Sequence, residues 1–286
     1  MKLLIAIILM SCPVLATEPL LIGVIDSGAE LSHPLLSSKL LVIDRSEQVL
    51  LANDTLEDYD DHGTHISGII VQTLGQANYR IVPIKNYSAN YQNHKIFSPK
   101  SYIRAIDFAL EHHLKVLNIS EDFLDDSPDV RAAFKKAEIN HLIIVTSAGN
   151  DSLNLDLFAD ESDKHMYPCQ YGFSNIICVG SYHSFHKKKL PFSNYGSSVL
   201  VGTEGVNIRS SCILKTYCSM SGSSMSAALV TAHIAKLLLQ GVSPDKVKDL
   251  FLESLPRDKK LVDFFDSGRY LPKNFKPILI KPQLGT

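Results

Sequence analysis

A turn rich in serine and glycine contains the residues best suited to chemistry. Ser221-Gly222-Ser223-Ser224-Met225-Ser226 runs directly into an apolar helical stretch, Ala227 to Leu239. A serine at such a helix start has two interpretations. It is either an N-cap, which satisfies free backbone N–H groups, or a nucleophile, because a helix N-terminus favours developing negative charge. The turn by itself favours the N-cap.

An aspartate closes the first apolar segment of the chain. Leu20 to Ile25 is a continuous apolar run, typical of a buried parallel strand, and it stops at Asp26-Ser27-Gly28. Open α/β sheets carry their functional sites at the carboxyl ends of such strands. Asp26 is therefore a candidate site residue, and a structural turn aspartate is the alternative.

Two histidines open the next apolar segment. His62 precedes small and apolar residues at helical spacing, so we expect it at or near a helix start. His65 follows three residues later, and Asp60 and Asp61 lie just before. This grouping could instead bind a metal ion, but no further ligand cluster at a known spacing completes such a site. We therefore expect no metal here.

Strand and helix patterns alternate through the remaining chain. Such alternation predicts an α/β fold in three layers, with a mainly parallel central sheet and helices on both faces. A proline after serine marks two of the helix starts. The predicted strands span residues 79–85, 115–119, 141–146, 176–180 and 199–201, and the predicted helices span residues 101–114, 127–139 and 243–254.

Composition limits the classes of partner. The chain has 286 residues, of which 45% are hydrophobic and 20% charged, and its net charge is −2. One domain with a sizeable core is expected, without a polyelectrolyte partner. The basic run His186-Lys187-Lys188-Lys189 is short and lies between strand-like segments, so we interpret it as a solvated loop. Nucleic-acid binding is not expected.

The two ends of the chain differ from the middle. Lys2, an apolar run and then Val14-Leu15-Ala16 predict a signal peptide over residues 1–16, and hence an exported protein, secreted or periplasmic. Leu9-Met10-Ser11-Cys12 also resembles a bacterial lipoprotein signal, so membrane attachment through a lipid on Cys12 is an alternative. We place the main domain at residues 17–255. Residues 256–286 lack clear periodicity and are predicted to be irregular, either wrapped on the core or partly ordered.

Four cysteines remain beyond the predicted signal peptide. Cys169, Cys178, Cys212 and Cys218 are compatible with two disulfides in an oxidising compartment. Three pairings are possible, and we expect the one with short loops, Cys169 with Cys178 and Cys212 with Cys218. Buried free thiols are the alternative. No pair has the Cys-x-x-Cys spacing of a zinc site.

The three polar stretches together resemble a known family. Their order along the chain, Asp then His then Ser, is that of the subtilisin type of serine protease, so the chain resembles the subtilases, peptidase family S8. The likeness covers roughly Leu20 to Leu255. It also includes four further stretches in family order: His33-Pro34, Val116-Leu117-Asn118-Ile119-Ser120, Ser147-Ala148-Gly149-Asn150 and Phe192-Ser193-Asn194-Tyr195-Gly196.

The resemblance implies a role for each candidate residue. Ser224 would attack a peptide carbonyl while His62 accepts its proton and later returns it to the leaving amine. Asp26 would hold the other nitrogen of the imidazole ring. Asn150, beside the backbone N–H of Ser224, would stabilise the oxyanion, with a turn residue as the alternative. The family implies a protein or peptide substrate and a subtilisin-like fold, and we expect no cofactor.

The segment that binds substrate departs from the family pattern. The family usually has Ser-Leu-Gly-Gly, whereas this chain has Ser120-Glu121-Asp122-Phe123. We hypothesise that Phe123 narrows the cleft and that Glu121 and Asp122 favour basic peptides. Ser147 and Gly149 complete the predicted substrate-binding set.

Other departures concern stability and folding. Leu35 stands where the family often has an aspartate that ligates calcium, so calcium is not expected there. Ser226-Ala227-Ala228-Leu229 replaces the usual Ala-Ser-Pro-His, so we expect a helix without a proline bend. Only ten positions separate Ala16 from Asp26. The enzyme is therefore expected to fold unaided, to use a separate chaperone or inhibitor chain, or to be a weak protease.

Two other functions are compatible with parts of this sequence. A catalytically weak protein with the subtilase fold could bind peptide or protein partners through the altered cleft. An α/β-hydrolase esterase would need Gly-x-Ser-x-Gly with the serine before the acid and the histidine. Gly222-Ser223-Ser224-Met225-Ser226 lacks the second glycine, and here the serine comes last. The esterase interpretation is the weaker of the two.

Overall fold

The computed structural model of the chain describes residues 18–50, 55–89, 95–96, 98–124, 126–162 and 164–275. The predicted signal peptide, including Cys12, lies outside these ranges, as does the C-terminal stretch 276–286. All structural statements below concern the described residues.

A seven-stranded sheet forms the centre of the molecule. The strands in chain order are β1 (Leu20–Asp26), β2 (Tyr79–Lys85), β3 (Ser88–Ala89), β4 (Lys95–Ile96), β5 (Val116–Ile119), β6 (Ile143–Ser147), β7 (Ile176–His183), β8 (Lys188–Lys189), β9 (Val201–Glu204), β10 (Ile208–Cys212) and β11 (Thr216–Met220). The central sheet has the order β2-β1-β5-β6-β7, and both β8 and β9 pair with β7. All of its pairings are parallel except that of β7 with β8. The carboxyl ends of β1, β5 and β6 therefore meet at one edge.

Helices cover both faces of this sheet. They are α1 (Arg45–Gln48), α2 (His62–Leu74), α3 (Ser101–Glu111), α4 (Pro128–Ile139), α5 (Leu155–Ser162), α6 (Ser223–Leu239) and α7 (Pro244–Ser254). Ile22 and Val24 of β1 lie in one apolar cluster with residues of α2, α6 and α7, whereas Ile25 lies in a second cluster with residues of α3 and α4. Burial on both faces explains why β1 is an almost continuous apolar run. The predicted three-layer α/β fold is confirmed.

Helix α3 is shorter than the sequence indicated. Its pattern predicted a helix to Leu114, but α3 ends at Glu111. His113 adopts a left-handed backbone with φ of 57°, and the N–H of Leu114 donates to the carbonyl of Ala109 at 2.9 Å. Leu114 is buried nevertheless. Leu114 is therefore apolar because it packs in the core from the loop after the helix. The spacing of apolar residues alone does not show whether such a residue belongs to the helix or to the loop.

The hairpin of β10 and β11 was not predicted from the sequence. Its strands pair antiparallel, and a disulfide between Cys212 and Cys218 closes it, with Cα atoms 5.9 Å apart. A second disulfide joins Cys169 to Cys178, with Cα atoms 5.1 Å apart. The predicted short-loop pairing is confirmed. Strand β11 ends at Met220 and leads directly into the serine-rich turn before α6.

The described part of the C-terminal segment packs on the core. Residues 256–275 are irregular apart from short 3₁₀ turns at Lys259–Leu261 and Asp266–Gly268. Leu261, Phe265 and Leu271 are all buried. Each fully buried apolar side chain of this size contributes about 1.5–3 kcal/mol to the free energy of unfolding. Within the described ranges, no single helix has the length and apolar composition of a membrane span.

Candidate active site

Asp26 and His62 form a close pair at the carboxyl edge of the sheet. Asp26 ends β1 and is fully buried, and His62 is the first residue of α2. Oδ1 of Asp26 lies 2.8 Å from Nδ1 of His62. An ionised carboxylate only accepts hydrogen bonds, so Nδ1 must carry the ring proton. In neutral His62 the other nitrogen, Nε2, is then left as a proton acceptor.

Two further groups donate to the same carboxylate oxygen. The backbone N–H of Ser27 donates to Asp26 Oδ1 at 2.8 Å, and the hydroxyl of Tyr87 donates to it at 3.2 Å. Burial, followed by the negative charge of Asp26, raises the pKa of Tyr87 well above its usual value. The phenol therefore keeps its proton and remains a donor. Sequence reasoning missed Tyr87, although it follows directly after the strand next to β1.

Side chains from outside α2 hold its first turn in place. The residue before the helix, Asp61, makes no capping hydrogen bond through its side chain. Instead Asp58 Oδ2 accepts from the backbone N–H of Thr64 at 2.8 Å, and Ser27 Oγ accepts from the backbone N–H of Gly63 at 2.9 Å. Ser27 Oγ in turn donates to Asp58 Oδ1 at 2.8 Å. These bonds satisfy N–H groups that lack partners within the helix, and they fix the start of α2 beside Asp26.

A glycine allows the helix to approach the strand so closely. A Cβ atom on Gly63 would collide with the main-chain oxygen of Gly28 and lie 3.2 Å from Cβ of Asp26. Any larger residue at position 63 would push the start of α2 away from β1. In the His-Gly-Thr-His sequence, His62 is therefore the candidate base, and Gly63 allows the start of α2 to lie close enough to β1 for His62 to contact Asp26.

The β10–β11 hairpin supports α2 from the opposite side. Ser210 Oγ donates to the carbonyl of His65 and Ser211 Oγ to that of Thr64, both at 2.8 Å. The ring of His65 is turned to this hairpin, with Nε2 3.0 Å from the carbonyl oxygen of Ile208. Burial lowers the pKa of His65, which favours the neutral ring. His62 and His65 therefore face different partners, and this arrangement does not fit the alternative of a shared metal.

Ser224 lies in the first turn of α6 and is not its N-cap. The cap position is Gly222, which has no side chain to make a capping hydrogen bond. Ser224 is 6% exposed, and its Oγ lies 3.4 Å from the main-chain oxygen of Ser120. Of the two interpretations of the turn, the structure does not support the N-cap. The backbone N–H of Ser224 belongs to the helix turn in which N–H groups lack intrahelical acceptors.

The side-chain amide of Asn150 is bound to the start of α6. Its Oδ1 accepts from the backbone N–H of Ser223 at 2.8 Å. An N–H group can only donate, so the oxygen of this amide is identified and the NH₂ group is the free end. Asn150 is exposed and lines the same cleft as Ser224. The cleft thus contains a side-chain amide close to the start of α6.

Asn194 holds the loop that carries Asn150. This residue is fully buried, and its Oδ1 accepts from the backbone N–H groups of Asp151 and Leu153, both at 2.9 Å. Its Nδ2 donates to the carbonyl of Ala148 at 2.9 Å. One side chain thus binds the backbone on both sides of Asn150. The sequence contained a signal for it, because Asn194 lies in the Phe192–Gly196 stretch, but its role depends on contacts across more than forty positions.

Asn194→Ala is expected to lower kcat by about tenfold with little change in KM, because the amide of Asn150 would lose its fixed position. Asn150→Ala removes the donor itself, so its loss should be larger, about 10²–10³-fold. Steady-state kinetics on a peptide substrate measures both. Asn175→Ala is the matched control, because Asn175 is also buried and donates to a main-chain oxygen, that of Leu142, at 2.7 Å, far from the cleft. If all three variants lower kcat equally, Asn194 has no positioning role.

The predicted site residues line one cleft of about 520 Å³. Three of them carry predicted catalytic roles, namely His62, Asn150 and Ser224. Four others come from the predicted substrate-binding set: Ser120, Glu121, Asp122 and Ser147. Asp26 lies buried behind His62. Asp151 and Ser221, which the sequence did not single out, also line the cleft.

Gly149 is buried next to Asn150 and is not among the residues that line the cleft. Its φ of 94° is in the left-handed region that favours glycine. A Cβ atom there would collide with the amide of Asn194 and lie 2.8 Å from Oδ2 of Asp122. Gly149 therefore allows the loops after β5 and β6 to approach closely, and its contact with substrate stays a prediction.

Phe123, a predicted substrate-binding residue, also does not line the cleft. It is 6% exposed and packs among core aromatic residues, with ring centroids 5.4 Å from Tyr102 and 5.8 Å from Tyr167. Its backbone N–H donates to the carbonyl of Tyr167 at 2.9 Å. Burial of a large aromatic surface directs the ring into the core once the chain turns after Asp122. The structure thus corrects the expectation that Phe123 narrows the cleft.

Comparison with known proteins identifies similar sequences. The family model described as the subtilase family, Peptidase_S8, matches residues 18–269. The major intracellular serine protease of Bacillus subtilis is 27% identical over 228 residues, which is 75% of this chain and 66% of that protein. The intracellular serine protease of Paenibacillus polymyxa is 26% identical over 230 residues, 76% of this chain and 64% of that protein. This chain spans about two thirds of the length of these relatives.

Solved structures of other proteins have a fold similar to that of this chain. A cold-adapted subtilisin-like serine proteinase superposes with a TM-score of 0.74 and 21% identity, covering 91% of this chain and 90% of that one. A lanthipeptide protease also gives a TM-score of 0.74, with 18% identity over 88% of this chain and 85% of that one. At these identities the similarity applies to the fold.

Proposed function

Because the chain belongs to the subtilase family, we propose that it is a serine-type endopeptidase that uses Ser224, His62 and Asp26. The observation that carries this proposal is the 2.8 Å pair of Asp26 and His62 in the cleft that also contains Ser224 and Asn150. A protein that only bound peptides would have no need of a nucleophile, a base, an orienting acid and an amide donor together.

The first half of the reaction forms an acyl-enzyme. Ser224 Oγ attacks the peptide carbonyl carbon while Nε2 of His62 accepts the hydroxyl proton. Asp26 stabilises the imidazolium that results. Ser224 Oγ is 3.4 Å from the main-chain oxygen of Ser120, a long contact that leaves the hydroxyl able to turn. Catalytic hydrogen bonds are often long before substrate binds and shorten in the complex.

The tetrahedral intermediate carries a negative oxygen that needs fixed donors. The NH₂ group of Asn150 and the backbone N–H of Ser224 supply them, with the N-terminus of α6 adding its dipole. His62 then gives its proton to the leaving amine, and the peptide C–N bond breaks. In the second half, water attacks the acyl-enzyme with His62 again as the base, and Ser224 regains its proton.

Cleavage of an unfolded protein tests this proposal. The purified chain is incubated with casein, and the products are sequenced by mass spectrometry, with Ser224→Ala purified in parallel. Internal peptides released by wild type and absent with Ser224→Ala would support a serine endopeptidase. Intact casein in both samples, despite correctly folded protein, would instead support a subtilase fold that only binds partners.

We also propose that the protein is exported. Residues 1–16 support this, because a short apolar run after Lys2 ends in small residues, and so do two disulfides typical of an oxidising compartment. Fractionation of cells that express the full chain tests it, with N-terminal sequencing of the exported form. A new N-terminus at Thr17 indicates signal peptidase, and an acylated Cys12 indicates the lipoprotein route. A cytoplasmic chain that keeps Met1 would contradict export.

A further inference from the structure

The substrate cleft is strongly acidic. Glu121, Asp122 and Asp151 all line it, and His62 is the only other titratable residue among its described lining residues. The whole chain has a net charge of only −2. The negative charge is therefore concentrated where substrate would bind and is not a general property of the surface. Clefts with one sign of charge focus the field and attract ligands of the opposite sign.

The positions of Ser224 and Asn150 determine which residue of a bound substrate lies near these carboxylates. The carbonyl carbon must contact Ser224 Oγ, and its oxygen must point to Asn150. Ser224 Oγ is also 3.4 Å from the main-chain oxygen of Ser120. The residue that bears the reacting carbonyl therefore lies between the loop after β5, which begins at Ser120, and the loop after β6, which carries Asn150. Its side chain enters the space between these two loops.

Asp122 reaches across that space. Its Oδ2 lies 2.8 Å from the position that a Cβ atom on Gly149 would occupy. The carboxylate thus lies over bare backbone of the opposite loop, one residue before Asn150. Glu121 is less suited to contact substrate, because it is 9% exposed, whereas Asp122 is half-buried. Asp151 lies exposed, one residue after Asn150.

We propose that Asp122 binds the cationic side chain of the residue whose carbonyl is attacked, so that the enzyme cleaves after lysine or arginine. Glu121 and Asp151 add to the negative field around that contact. This inference rests on the proposed peptidase function and adds to it a preference for the residue before the scissile bond. It also revises the hypothesis from the sequence in three respects. Phe123 does not line the cleft, Asp151 does, and the direct contact with substrate is assigned to Asp122.

The role of Asp122 is tested with four peptides that differ only in the residue before the scissile bond. They carry lysine, arginine, norleucine or glutamate, and norleucine is close to lysine in shape without its charge. Wild type should have a kcat/KM about tenfold to a hundredfold higher for lysine than for norleucine, as expected for a hydrogen bond between charged groups. Glutamate should be the poorest substrate. Asp122→Asn should lower the lysine-to-norleucine ratio by about tenfold or more, and the field of Glu121 and Asp151 accounts for any small preference that remains.

Asp249→Asn is the matched control. It removes the same charge from an exposed position on α7, so the lysine-to-norleucine ratio should stay at the wild-type value. A second measurement needs no variant. In wild type the ratio should fall as salt is raised, because screening weakens the contact between charges.

Three results would overturn the inference. Equal or faster cleavage after norleucine by wild type would refute the preference while leaving the peptidase function intact. A lysine preference that Asp122→Asn leaves at the wild-type value would refute the role of Asp122. If no peptide is cleaved and a fluorophosphonate probe does not label Ser224, the proposed function fails, and the specificity fails with it.

Discussion

His62→Ala is expected to lower kcat by about 10⁶-fold, the size of loss that follows removal of the base from a serine protease triad. The reason is visible in the site: Asp26 fixes the proton on Nδ1, 2.8 Å away, so Nε2 is the atom left to accept the proton of Ser224. KM should change much less, because the ring does not bind substrate in the ground state. Kinetics on a fluorogenic peptide, with enzyme concentrations high enough to detect residual turnover, measures the loss.

His186→Ala is the control for this prediction. His186 is exposed in the loop between β7 and β8, outside the cleft. Its replacement should leave kcat and KM at wild-type values. A His62→Ala variant that retains more than a few per cent of wild-type kcat would show that another group accepts the proton.

Asp26→Ala is expected to lower kcat by about 10⁴-fold, less than loss of the base itself. Without the carboxylate, the ring of His62 loses the acceptor that selects its tautomer and the charge that stabilises the imidazolium. The loss should appear in kcat measured at saturating peptide. Circular dichroism is needed beside the kinetics, because the backbone N–H of Ser27 and the hydroxyl of Tyr87 would also lose their acceptor.

Tyr87→Phe separates these effects. It removes one hydrogen bond to Asp26 and keeps both the aromatic ring and the carboxylate, so kcat should fall only severalfold. A loss in Tyr87→Phe equal to that in Asp26→Ala would mean that the phenol, and not the carboxylate, controls His62.

The sequence predicted the parts of the fold that depend on local pattern. Buried strand β1 is an almost continuous apolar run, β2 is mainly apolar, and their predicted bounds agree with the structure to within a residue. Helix α4 begins at Pro128 after the N-cap Ser127, as the order of serine, proline and acid indicated. Asp26, His62 and Ser224 were located because each lies where one of these elements begins or ends.

Contacts between distant segments could not be predicted in the same way. Asp58, Tyr87 and Asn194 act on residues that lie far away in the chain or on backbone groups, and a pattern of residue types does not show such pairs. Two serines of the β10–β11 hairpin, for example, bind carbonyls of α2 more than 140 positions earlier in the chain. Phe123 was misplaced for a related reason. Sequence position put it beside the cleft, but packing with Tyr102 and Tyr167 turned its ring into the core.

Labelling with a fluorophosphonate tests the central claim most directly, since the probe reacts with a serine only when a base activates it. Wild type, Ser224→Ala and His62→Ala are treated together, and the labelled peptide is sequenced by mass spectrometry. The probe should be attached to Ser224 in wild type, absent from Ser224→Ala and strongly reduced in His62→Ala. Equal labelling of wild type and Ser224→Ala, or a folded wild type that takes up no probe, would contradict the proposed catalytic site.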